Sequence, residues 1–311
     1  MAKLGFLGLG IMGGPMARRL MEAGHHVALW SKSPGKAVRF AAYGGAACES
    51  PRDVARQSEI VFLCVGNTAM SRQAILGEGG LVEGASEGLV IADCSTISPS
   101  ASRRIGEELA QRGIQFLDAP CTGSKAGAEG GTLTFMVGGN KELFERVRVY
   151  FEPMGKLFYY CGASGMGLQA KLSQNMIIGN LLNAFNESLV LSTKGGVAPE
   201  LMLDILNNSA ARSGLVAAKA PMVFSRNFTP HFSVKWLEKD MELMLESAAE
   251  LNVPTPLTAL SRQLYRAAIA KGYGEEDVCG SIRVLEEITS CTVIASQPEP
   301  ATAAPAKGLR G

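Results

Sequence analysis

The chain has 311 residues, a length that predicts two domains at about 150 residues per domain. Hydrophobic residues make up 47% of the chain and charged residues 19%, which is enough apolar material for large buried cores and excludes a disordered chain. The formal net charge is +1, from 30 Lys and Arg against 29 Asp and Glu. Without a basic excess, a nucleic-acid partner is not expected, and a small-molecule partner is favoured.

Cysteine and histidine usage argues against a metal site or a disulfide framework. The seven cysteines are odd in number and have no CxxC spacing, and the three histidines are scattered. This usage favours reduced thiols in a cytoplasmic protein. The charge-free stretches Leu4–Ala17 and Leu172–Asn186 are interrupted by glycines or polar residues, so neither a signal peptide nor a membrane span is predicted. No membrane partner is expected.

Short apolar runs alternate with amphipathic segments from residue 1 to about residue 160. Helices are predicted at Met12–Ala23 and Ser98–Arg112, and Ser50, Pro51 and Asp53 have the pattern of a further helix start. The predicted strands are Leu4–Leu7, His26–Trp30, Ile60–Val65, Val90–Asp93, Phe116–Asp118 and Leu133–Val137. This alternation predicts an α/β domain with a Rossmann-type doubly wound, parallel sheet covered by helices on both faces.

The second half of the sequence has a helical pattern without a convincing strand. One long helix is predicted over Gly165–Lys194 as the connection between two domains. Further helices are predicted at Pro199–Asn208, Val234–Leu251 and Pro256–Lys271. We therefore predict an α/β domain over residues 1–164, an all-α domain over 165–295 and a disordered tail over 296–311.

A GxGxxG motif directly follows the first predicted strand and opens the first helix. Gly8 permits a tight turn, Gly10 lets the backbone approach a pyrophosphate, and Gly13 allows close packing of helix on strand. The backbone of Ile11 and Met12 lies at the helix N-terminus, which favours an anion. The motif predicts a dinucleotide cofactor, and the alternative is a glycine-rich turn without a ligand.

The residues after the second predicted strand indicate which dinucleotide is used. An NAD enzyme typically has an acid there to bind the ribose 2′-hydroxyl, whereas this chain has Ser31-Lys32-Ser33. A lysine flanked by hydroxyls attracts a 2′-phosphate, which a carboxylate would repel. The pattern predicts NADP(H), and the alternative is that Lys32 is a solvated surface charge.

Polar residues also follow two later strands. Thr96 comes after Val90–Asp93, at the strand ends where ligands of doubly wound sheets bind. After Asp118, the chain is rich in glycine and contains Thr122, Gly123 and Ser124. Exposed backbone N–H groups in such a loop form a nest for an anion, which favours a substrate carboxylate. The alternative is a purely structural loop.

The long predicted helix carries a pair of polar side chains near its start. Lys171 and Asn175 are four residues apart and therefore lie on one helix face. Such a pair can donate two hydrogen bonds to one carbonyl oxygen. The alternative reading of Lys171 as a solvated charge is disfavoured, because the surrounding stretch is otherwise uncharged.

Five motifs in order resemble the β-hydroxyacid dehydrogenase family, and the resemblance extends over about residues 3–290. They are GFLGLGIMGGPMA at 5–17, DCST at 93–96, DAPCTGSKAGAEGGTL at 118–133, GMGLQAKLSQNMIIGN at 165–180 and FSVKWLEKDMELML at 232–245. The GSK and AEGG segments are most similar to the glyoxylate and succinic semialdehyde reductase branch. One departure is Cys121-Thr122, where the family usually has Val-Ser.

The resemblance implies a role for particular residues. Lys171 would be the catalytic residue, with Asn175 beside it at the substrate oxygen. Besides the glycine loop, Ser31 and Lys32, the cofactor contacts would be Val65, Thr96 and Lys239. The other substrate contacts would be Thr96, Thr122, Gly123, Ser124, Phe232 and Asp240.

The implied activity is the NADPH-dependent reduction of small carboxylated aldehydes to hydroxyacids, with a lysine as general acid and without a metal. One alternative is an NAD(P)-dependent dehydrogenase of the 3-hydroxyisobutyrate type. A more distant one is a non-catalytic nucleotide-binding module. The resemblance also implies a homo-oligomer, a dimer or a tetramer, in which residues 1–164 bind NADP and residues 165–295 serve substrate binding and self-association.

Overall fold

A computed structural model describes residues 2–33 and 35–295, so the predicted tail over 296–311 lies outside the described residues. Nine strands form one sheet between Lys3 and Gly162. They are β1 (Lys3–Leu7), β2 (His26–Trp30), β3 (Ala46–Ala47), β4 (Ile60–Leu63), β5 (Val90–Asp93), β6 (Gln115–Asp118), β7 (Cys121–Thr122), β8 (Leu133–Gly139) and β9 (Gly155–Gly162).

Twelve α-helices lie in the described part of the chain. Those before residue 150 are α1 (Gly13–Glu22), α2 (Pro51–Ala55), α3 (Thr68–Leu76), α4 (Pro99–Ala110), α5 (Ser124–Gly130) and α6 (Lys141–Val147). Those after it are α7 (Met166–Lys194), α8 (Pro199–Asn207), α9 (Gly214–Phe224), α10 (Val234–Glu250), α11 (Pro256–Ala270) and α12 (Ile282–Thr289).

The sheet has the order β3-β2-β1-β4-β5-β6-β8-β7, with β9 paired to β8. The first six strands in that order are mutually parallel, whereas β8 runs antiparallel to β6 and to β7. The predicted parallel sheet is therefore confirmed over six strands, and β8, one of the predicted strands, is antiparallel at this edge. The chain returns through β7 and α5 without a full crossover, and α6 then leads to β9, which is parallel to β8.

Apolar clusters cover both faces of the sheet, as predicted. One face packs against α1 and α6 through residues such as Leu20 and Phe144. The other face packs against α2, α3 and α4 through residues such as Val54, Ile75 and Ile105. This sandwich leaves the carboxyl ends of the parallel strands free to carry a site.

All six predicted strands are present, with small differences at their ends. β4 stops at Leu63 and not at Val65, because the N–H of Val65 donates to Oγ of Ser95 at 2.8 Å instead of to a strand partner. The short strands β3 and β7, and β9, were not predicted. The segment predicted as a glycine-rich loop after Asp118 contains β7 and α5, so that interpretation is wrong for most of its length.

The chain changes from sheet to helix between Gly162 and Met166, where the predicted boundary at residue 164 falls. α7 is 29 residues long, and helices α8 to α12 pack around it and each other. Two buried amides on α7 tie this bundle together: Asn183 donates to the carbonyl of Ser261, and Asn186 donates to Oγ of Ser281. Past residue 162, the described chain contains no strand, only one isolated bridge between Ser233 and Asp277.

Three further properties concern the described residues as a whole. None of their helices is both long enough and apolar enough to cross a membrane. Within the same residues, no group of three or more His, Cys, Asp or Glu side chains is arranged to hold a metal ion. All seven cysteines are free thiols.

Candidate active site

The glycine motif forms a tight turn between β1 and α1. Gly8 has a φ of +93°, and a Cβ on it would stand 2.1 Å from the carbonyl oxygen of Cys64. A Cβ on Gly13 would stand 1.9 Å from the carbonyl oxygen of Gly8. A Cβ on Gly10, in contrast, would have no atom within 4 Å. Gly8 and Gly13 are therefore required by packing, whereas Gly10 borders open space.

The turn fits the diphosphate of a dinucleotide. Met12 lies at the N-cap of α1 and provides no side-chain cap. The N–H of Gly14 donates to the carbonyl oxygen of Gly10, and Pro15 has no N–H, so the N–H groups offered to a ligand are those of the turn before Gly14. Ile11, in the same turn, is exposed. A helix N-terminus with free N–H donors and open space above a glycine is a site for phosphate oxygens.

The end of β2 lies directly beside this turn. The N–H of Gly8 donates to the carbonyl oxygen of Trp30 at 3.0 Å, so Ser31 and Lys32 follow immediately at the same edge. Lys32 is exposed and Ser31 is half-buried. Both side chains are therefore at the same sheet edge as the glycine turn and not in the core.

Buried hydrogen bonds hold the loops after β4 and β5. The carboxylate of Asp93 accepts from the N–H of Ser95 at 2.9 Å and from Oγ of Ser71. Ser95 in turn accepts from the N–H of Val65. Burial raises the pKa of Asp93, and these hydrogen bonds oppose the shift. Val65 and the half-buried Thr96 are thereby fixed at the sheet edge beside the glycine turn.

Lys239 on α10 connects the helical part of the molecule to this edge. Its Nζ donates to the carbonyl oxygen of Thr96 at 2.6 Å and lies 2.7 Å from Oδ1 of Asp240. The other carboxylate oxygen of Asp240 accepts from Nδ2 of Asn175 at 2.7 Å. Four predicted site residues from three separate elements are therefore joined in one network.

Lys171 is buried beside this network, with only 7% of its surface exposed. Its Nζ donates to the neutral Oε1 of Gln174 at 3.2 Å. Burial lowers the pKa of Lys171, while the charge of Asp240 opposes the shift and that of Lys239 adds to it. The result is a desolvated ammonium with a neutral hydrogen-bond partner.

The segment predicted to hold a substrate carboxylate lies near Lys171. Burial raises the pKa of the Cys121 thiol to about 11, and the charge of Lys171 opposes that shift. Thr122 follows in β7 and is half-buried, while Gly123 and Ser124 are exposed with φ of +132° and +56°. These left-handed conformations turn the chain from β7 into α5 beside the lysine.

Phe232 precedes α10 and packs on the core of the helical part of the chain. Its N–H donates to Oδ2 of Asp277 at 3.3 Å, and the N–H of His231 donates to the same oxygen at 2.9 Å. The other oxygen of Asp277 lies 2.7 Å from Nζ of Lys219 on α9. Phe232 is thus held in place directly before α10.

Sequence reasoning missed several residues that shape this site. Gln174 is the hydrogen-bond partner of Lys171, and Cys121 lies within range of its charge. Ser95 holds Val65, and Asp118 accepts from two N–H groups at the start of α7. Of these residues, only Asp118 has a sequence pattern that could have indicated a site: like Asp93, it is the last residue of a predicted strand.

Comparison with known proteins agrees with the fold and the cofactor turn. A family profile described as the NAD binding domain of 6-phosphogluconate dehydrogenase matches residues 3–162. A second profile, described as NAD-binding of NADP-dependent 3-hydroxyisobutyrate dehydrogenase, matches residues 165–285. The fold and its cofactor turn define the class of NAD(P)-dependent oxidoreductases.

Individual relatives narrow this class. The 2-(hydroxymethyl)glutarate dehydrogenase of Eubacterium barkeri is 36% identical over 95% of this chain and 98% of its own. Glyoxylate/succinic semialdehyde reductase 1 of Arabidopsis thaliana is 33% identical over 91% and 98%. The solved structure of Mycobacterium tuberculosis 3-hydroxyisobutyrate dehydrogenase with L-serine has a TM-score of 0.84 at 29% identity, covering 92% of this chain and 99% of that one. The chain belongs to the β-hydroxyacid dehydrogenase family, whose members are NAD(P)-dependent enzymes that act on CH–OH groups.

Proposed function

We propose that this protein is an NADPH-dependent reductase of small aldehydes that carry a carboxylate, such as glyoxylate and succinic semialdehyde. The observation that carries the proposal is the buried ammonium of Lys171, whose hydrogen-bond partner, Gln174, is neutral. A desolvated cation of this kind stabilises negative charge that develops on a nearby oxygen. The similarity to the Arabidopsis reductase supports the aldehyde direction.

In this mechanism Lys171 is the general acid. Bound NADPH supplies the hydride that reduces the aldehyde carbon. Lys171 donates a proton to the oxygen that becomes the hydroxyl, and its lowered pKa makes that transfer easier than from an ordinary lysine. An asparagine amide has two N–H donors, so Asn175 can bond Asp240 with one and the substrate oxygen with the other.

Asp240 and Lys239 orient the reacting groups. The Asp240 carboxylate binds Asn175 with one oxygen and faces Lys239 with the other, and Lys239 in turn holds the loop of Thr96. The contact between Lys239 and Thr96 joins α10 to the sheet edge, close to the buried Lys171. We assign cofactor contacts to Val65, Thr96 and Lys239, in addition to the turn at Gly8–Gly13.

A carboxylate on the substrate suits the charge of the site. Lys171 and Lys239 are two cations near the carboxylate of Asp240, and the charge of Lys239 also acts on the buried Asp93. We assign the substrate carboxylate to Thr122, Gly123 and Ser124, which follow Cys121 and can supply hydroxyl and backbone N–H donors, and we assign Phe232 to the wall of the site. These donors would remain unpaired with an uncharged aldehyde, which costs binding energy.

The preference for NADP(H) rests on Ser31 and Lys32, which follow β2 beside the glycine turn. An exposed lysine at this place attracts the 2′-phosphate of NADPH, and a hydroxyl can donate to it. An acid that would bind the free 2′-hydroxyl of NADH is absent from the two positions directly after Trp30.

A second candidate is the oxidation of a hydroxyacid by a 3-hydroxyisobutyrate-type dehydrogenase. The TM-score of 0.84 with the mycobacterial enzyme and the 36% identity with the Eubacterium barkeri dehydrogenase favour it. The same Lys171 would then accept the proton from the hydroxyl. A non-catalytic module is disfavoured, because the lysine, the asparagine and the open cofactor turn are all retained.

Steady-state kinetics distinguish these functions. NADPH oxidation would be followed with glyoxylate, succinic semialdehyde and acetaldehyde, and NADP⁺ and NAD⁺ reduction with 3-hydroxyisobutyrate. We expect the two carboxylated aldehydes to give much higher kcat/KM than acetaldehyde. Comparable efficiency on acetaldehyde would contradict the carboxylate site, and faster oxidation of 3-hydroxyisobutyrate would favour the second candidate.

We also propose that the protein is a cytoplasmic homo-oligomer, a dimer or a tetramer. α7 exposes large apolar side chains, including Ile177 at 66% and Leu191 at 77%. Apolar surface on one long helix favours burial against a second copy. Light scattering coupled to size exclusion tests this, and a monomer at micromolar concentration would contradict it.

A further inference from the structure

We propose that Asp118 is a positioning residue for Lys171: its carboxylate fixes the first turn of α7 against the sheet and so sets where the ammonium lies. The inference rests on the proposed role of Lys171 and adds a second residue to it. Asp118 is the last residue of β6, is fully buried and lies far from α7 in sequence.

Both oxygens of this carboxylate bind the start of α7. Oδ1 accepts from the N–H of Gly165 at 2.7 Å, and Oδ2 accepts from the N–H of Leu168 at 3.0 Å. The first N–H groups of a helix have no partner within the helix, so an acceptor from another element defines where the helix begins. A bidentate acceptor also restricts the rotation of the helix about its axis.

The anchored turn and the reacting groups share one face of α7. Leu168, Lys171 and Asn175 are spaced by three and four residues and are all buried. At a rise of about 1.5 Å per residue, Lys171 lies only about 4.5 Å along the axis beyond the anchored N–H of Leu168. A shift or rotation at Asp118 is therefore transmitted directly to the lysine.

Two glycines let the helix approach Asp118 this closely. A Cβ on Gly138 of β8 would stand 2.6 Å from Oδ1 of Asp118 and 2.8 Å from the N of Gly167. A Cβ on Gly167 would stand 2.4 Å from the carbonyl oxygen of Met136. The start of α7 is thus pressed against β6 and β8 with the carboxylate between them.

The charges around Asp118 do not include a direct cation partner among the described residues. Burial raises its pKa to about 6, its backbone hydrogen bonds oppose the shift, and Asp93 on β5 adds to it. The negative charge of Asp118 raises the pKa of the Cys161 thiol on β9. Arg103 on α4 lies beside Gly165. A buried acid held mainly by helix N–H groups is costly to keep, which argues for a use beyond stability.

The test compares Asp118→Asn with Asn140→Ala, which removes the cap that Asn140 gives to the N–H of Leu143 on α6, in the same sheet domain. An asparagine can accept only one of the two N–H bonds and places an NH₂ against the other. We expect Asp118→Asn to lower kcat by about 10- to 100-fold, as a misplaced catalytic group does, while NADPH affinity is unchanged. Asn140→Ala should lower only the melting temperature.

A second readout follows Lys171 itself. Once displaced, Lys171 loses part of its desolvation, so its pKa should rise and the high-pH limb of kcat should move to higher pH. NMR titration of isotopically methylated lysines gives the same pKa without turnover. If Asp118→Asn does not fold, Gly138→Ala displaces the carboxylate without removing it and should give the same two changes.

The outcomes separate this inference from the proposed function. Wild-type enzyme without NADPH-dependent turnover would refute the proposed function, and the NMR titration would still test the position of Lys171. Turnover that depends on Lys171 but is unchanged in Asp118→Asn and Gly138→Ala, together with an unshifted Lys171 pKa, would overturn the role of Asp118. A lowered kcat with an unchanged pH profile would also overturn it, since that is the result of general destabilisation.

Discussion

Nδ2 of Asn175 donates to Oδ2 of Asp240 over 2.7 Å, which joins α7 to α10 at the point where both face the sheet edge. The partners are 65 residues apart in sequence. Through Lys239, the same carboxylate is linked to the loop of Thr96. The proposed catalytic groups therefore depend on each other for their orientation. Substitutions among them should change the pH dependence of kcat as well as its magnitude.

Replacing Lys171 by alanine should abolish most turnover and leave NADPH binding nearly intact. In the proposed mechanism the cofactor phosphates bind at the turn between β1 and α1, whereas Lys171 acts on the substrate oxygen. Removing a positioned acid typically lowers kcat by about 10²–10⁴-fold. kcat with glyoxylate and the Kd of NADPH from fluorescence titration measure the two effects. Lys171→Arg should not restore full activity, because a guanidinium does not give up its proton.

Lys194→Ala is the control for this prediction, since Lys194 is exposed at the other end of α7. It should leave kcat unchanged. Retention of more than about a tenth of wild-type kcat in Lys171→Ala would contradict the role of the lysine. Lost NADPH binding would instead place Lys171 in the cofactor pocket.

Asp240→Asn should move the high-pH limb of kcat to lower pH. As the proposed general acid of the reductive direction, Lys171 must be protonated, so kcat should fall as the pH rises through its pKa. The charge of Asp240 raises that pKa against the effect of burial, and its removal therefore lowers the pKa further. Glu246→Gln makes the same charge change at an exposed position of α10 and should leave the limb in place. If the high-pH limb of kcat in Asp240→Asn is unchanged or lies at higher pH, Lys171 is not the general acid.

Alanine at Gly10 and at Gly13 should have opposite consequences. A Cβ on Gly10 has no atom within 4 Å, so Gly10→Ala should keep the melting temperature while its methyl occupies the space proposed for the diphosphate. The Kd of NADPH should rise by about tenfold or more, equivalent to about 1.4 kcal/mol. A Cβ on Gly13 meets the carbonyl of Gly8 at 1.9 Å, so Gly13→Ala should destabilise the fold by about 1–3 kcal/mol. Unchanged NADPH affinity in Gly10→Ala would argue against the cofactor turn.

The double substitution Ser31→Asp and Lys32→Ala should weaken NADPH strongly and NADH much less. It removes one exposed charge contact, typically worth about 1 kcal/mol, and adds repulsion of the 2′-phosphate. The ratio of kcat/KM for the two cofactors measures this. Lys156→Ala, an exposed lysine on β9, is the control and should leave the ratio unchanged. Equal use of NADH and NADPH by the wild type would refute the interpretation of this loop.

Asp118 should also make the free energy of unfolding depend measurably on pH. Its pKa is raised from 3.8 to about 6 on folding, so the folded chain binds the proton more tightly than the unfolded chain. The charged carboxylate therefore costs about 3 kcal/mol at neutral pH, and this cost is relieved as the pH falls from about 6 to about 4. The free energy of unfolding of the wild type, minus that of Asp118→Asn, should increase over that range in denaturant titrations. A difference that is independent of pH would contradict the raised pKa.

Local patterns in the sequence were sufficient for the elements that carry the site. Burial of both sheet faces gives the short continuous apolar runs that marked β1, β4 and β5, and the apolar face of a helix gives the pattern that marked α7. The glycine turn was predictable because its spacing is a steric requirement, as the contacts of Gly8 and Gly13 show. The shared face of Lys171 and Asn175 followed from helix geometry alone.

The contacts that give those residues their chemistry depend on tertiary structure. Lys239 and Thr96 are 143 residues apart, and their contact depends on how α10 meets the sheet. The strand β7 was missed because it is only two residues long and is set by pairing with β8, and the helix α5 was missed because glycines interrupt and flank it. The sequence by itself determined which chemical groups could form the site, because the spacing of residues along the chain places the glycine turn after β1 and puts Lys171 and Asn175 on one helix face. Only the packing of distant elements decided that Lys171 is desolvated, that Asp240 faces it, and that Asp118 holds its helix, because burial and Coulomb interactions depend on distance in space.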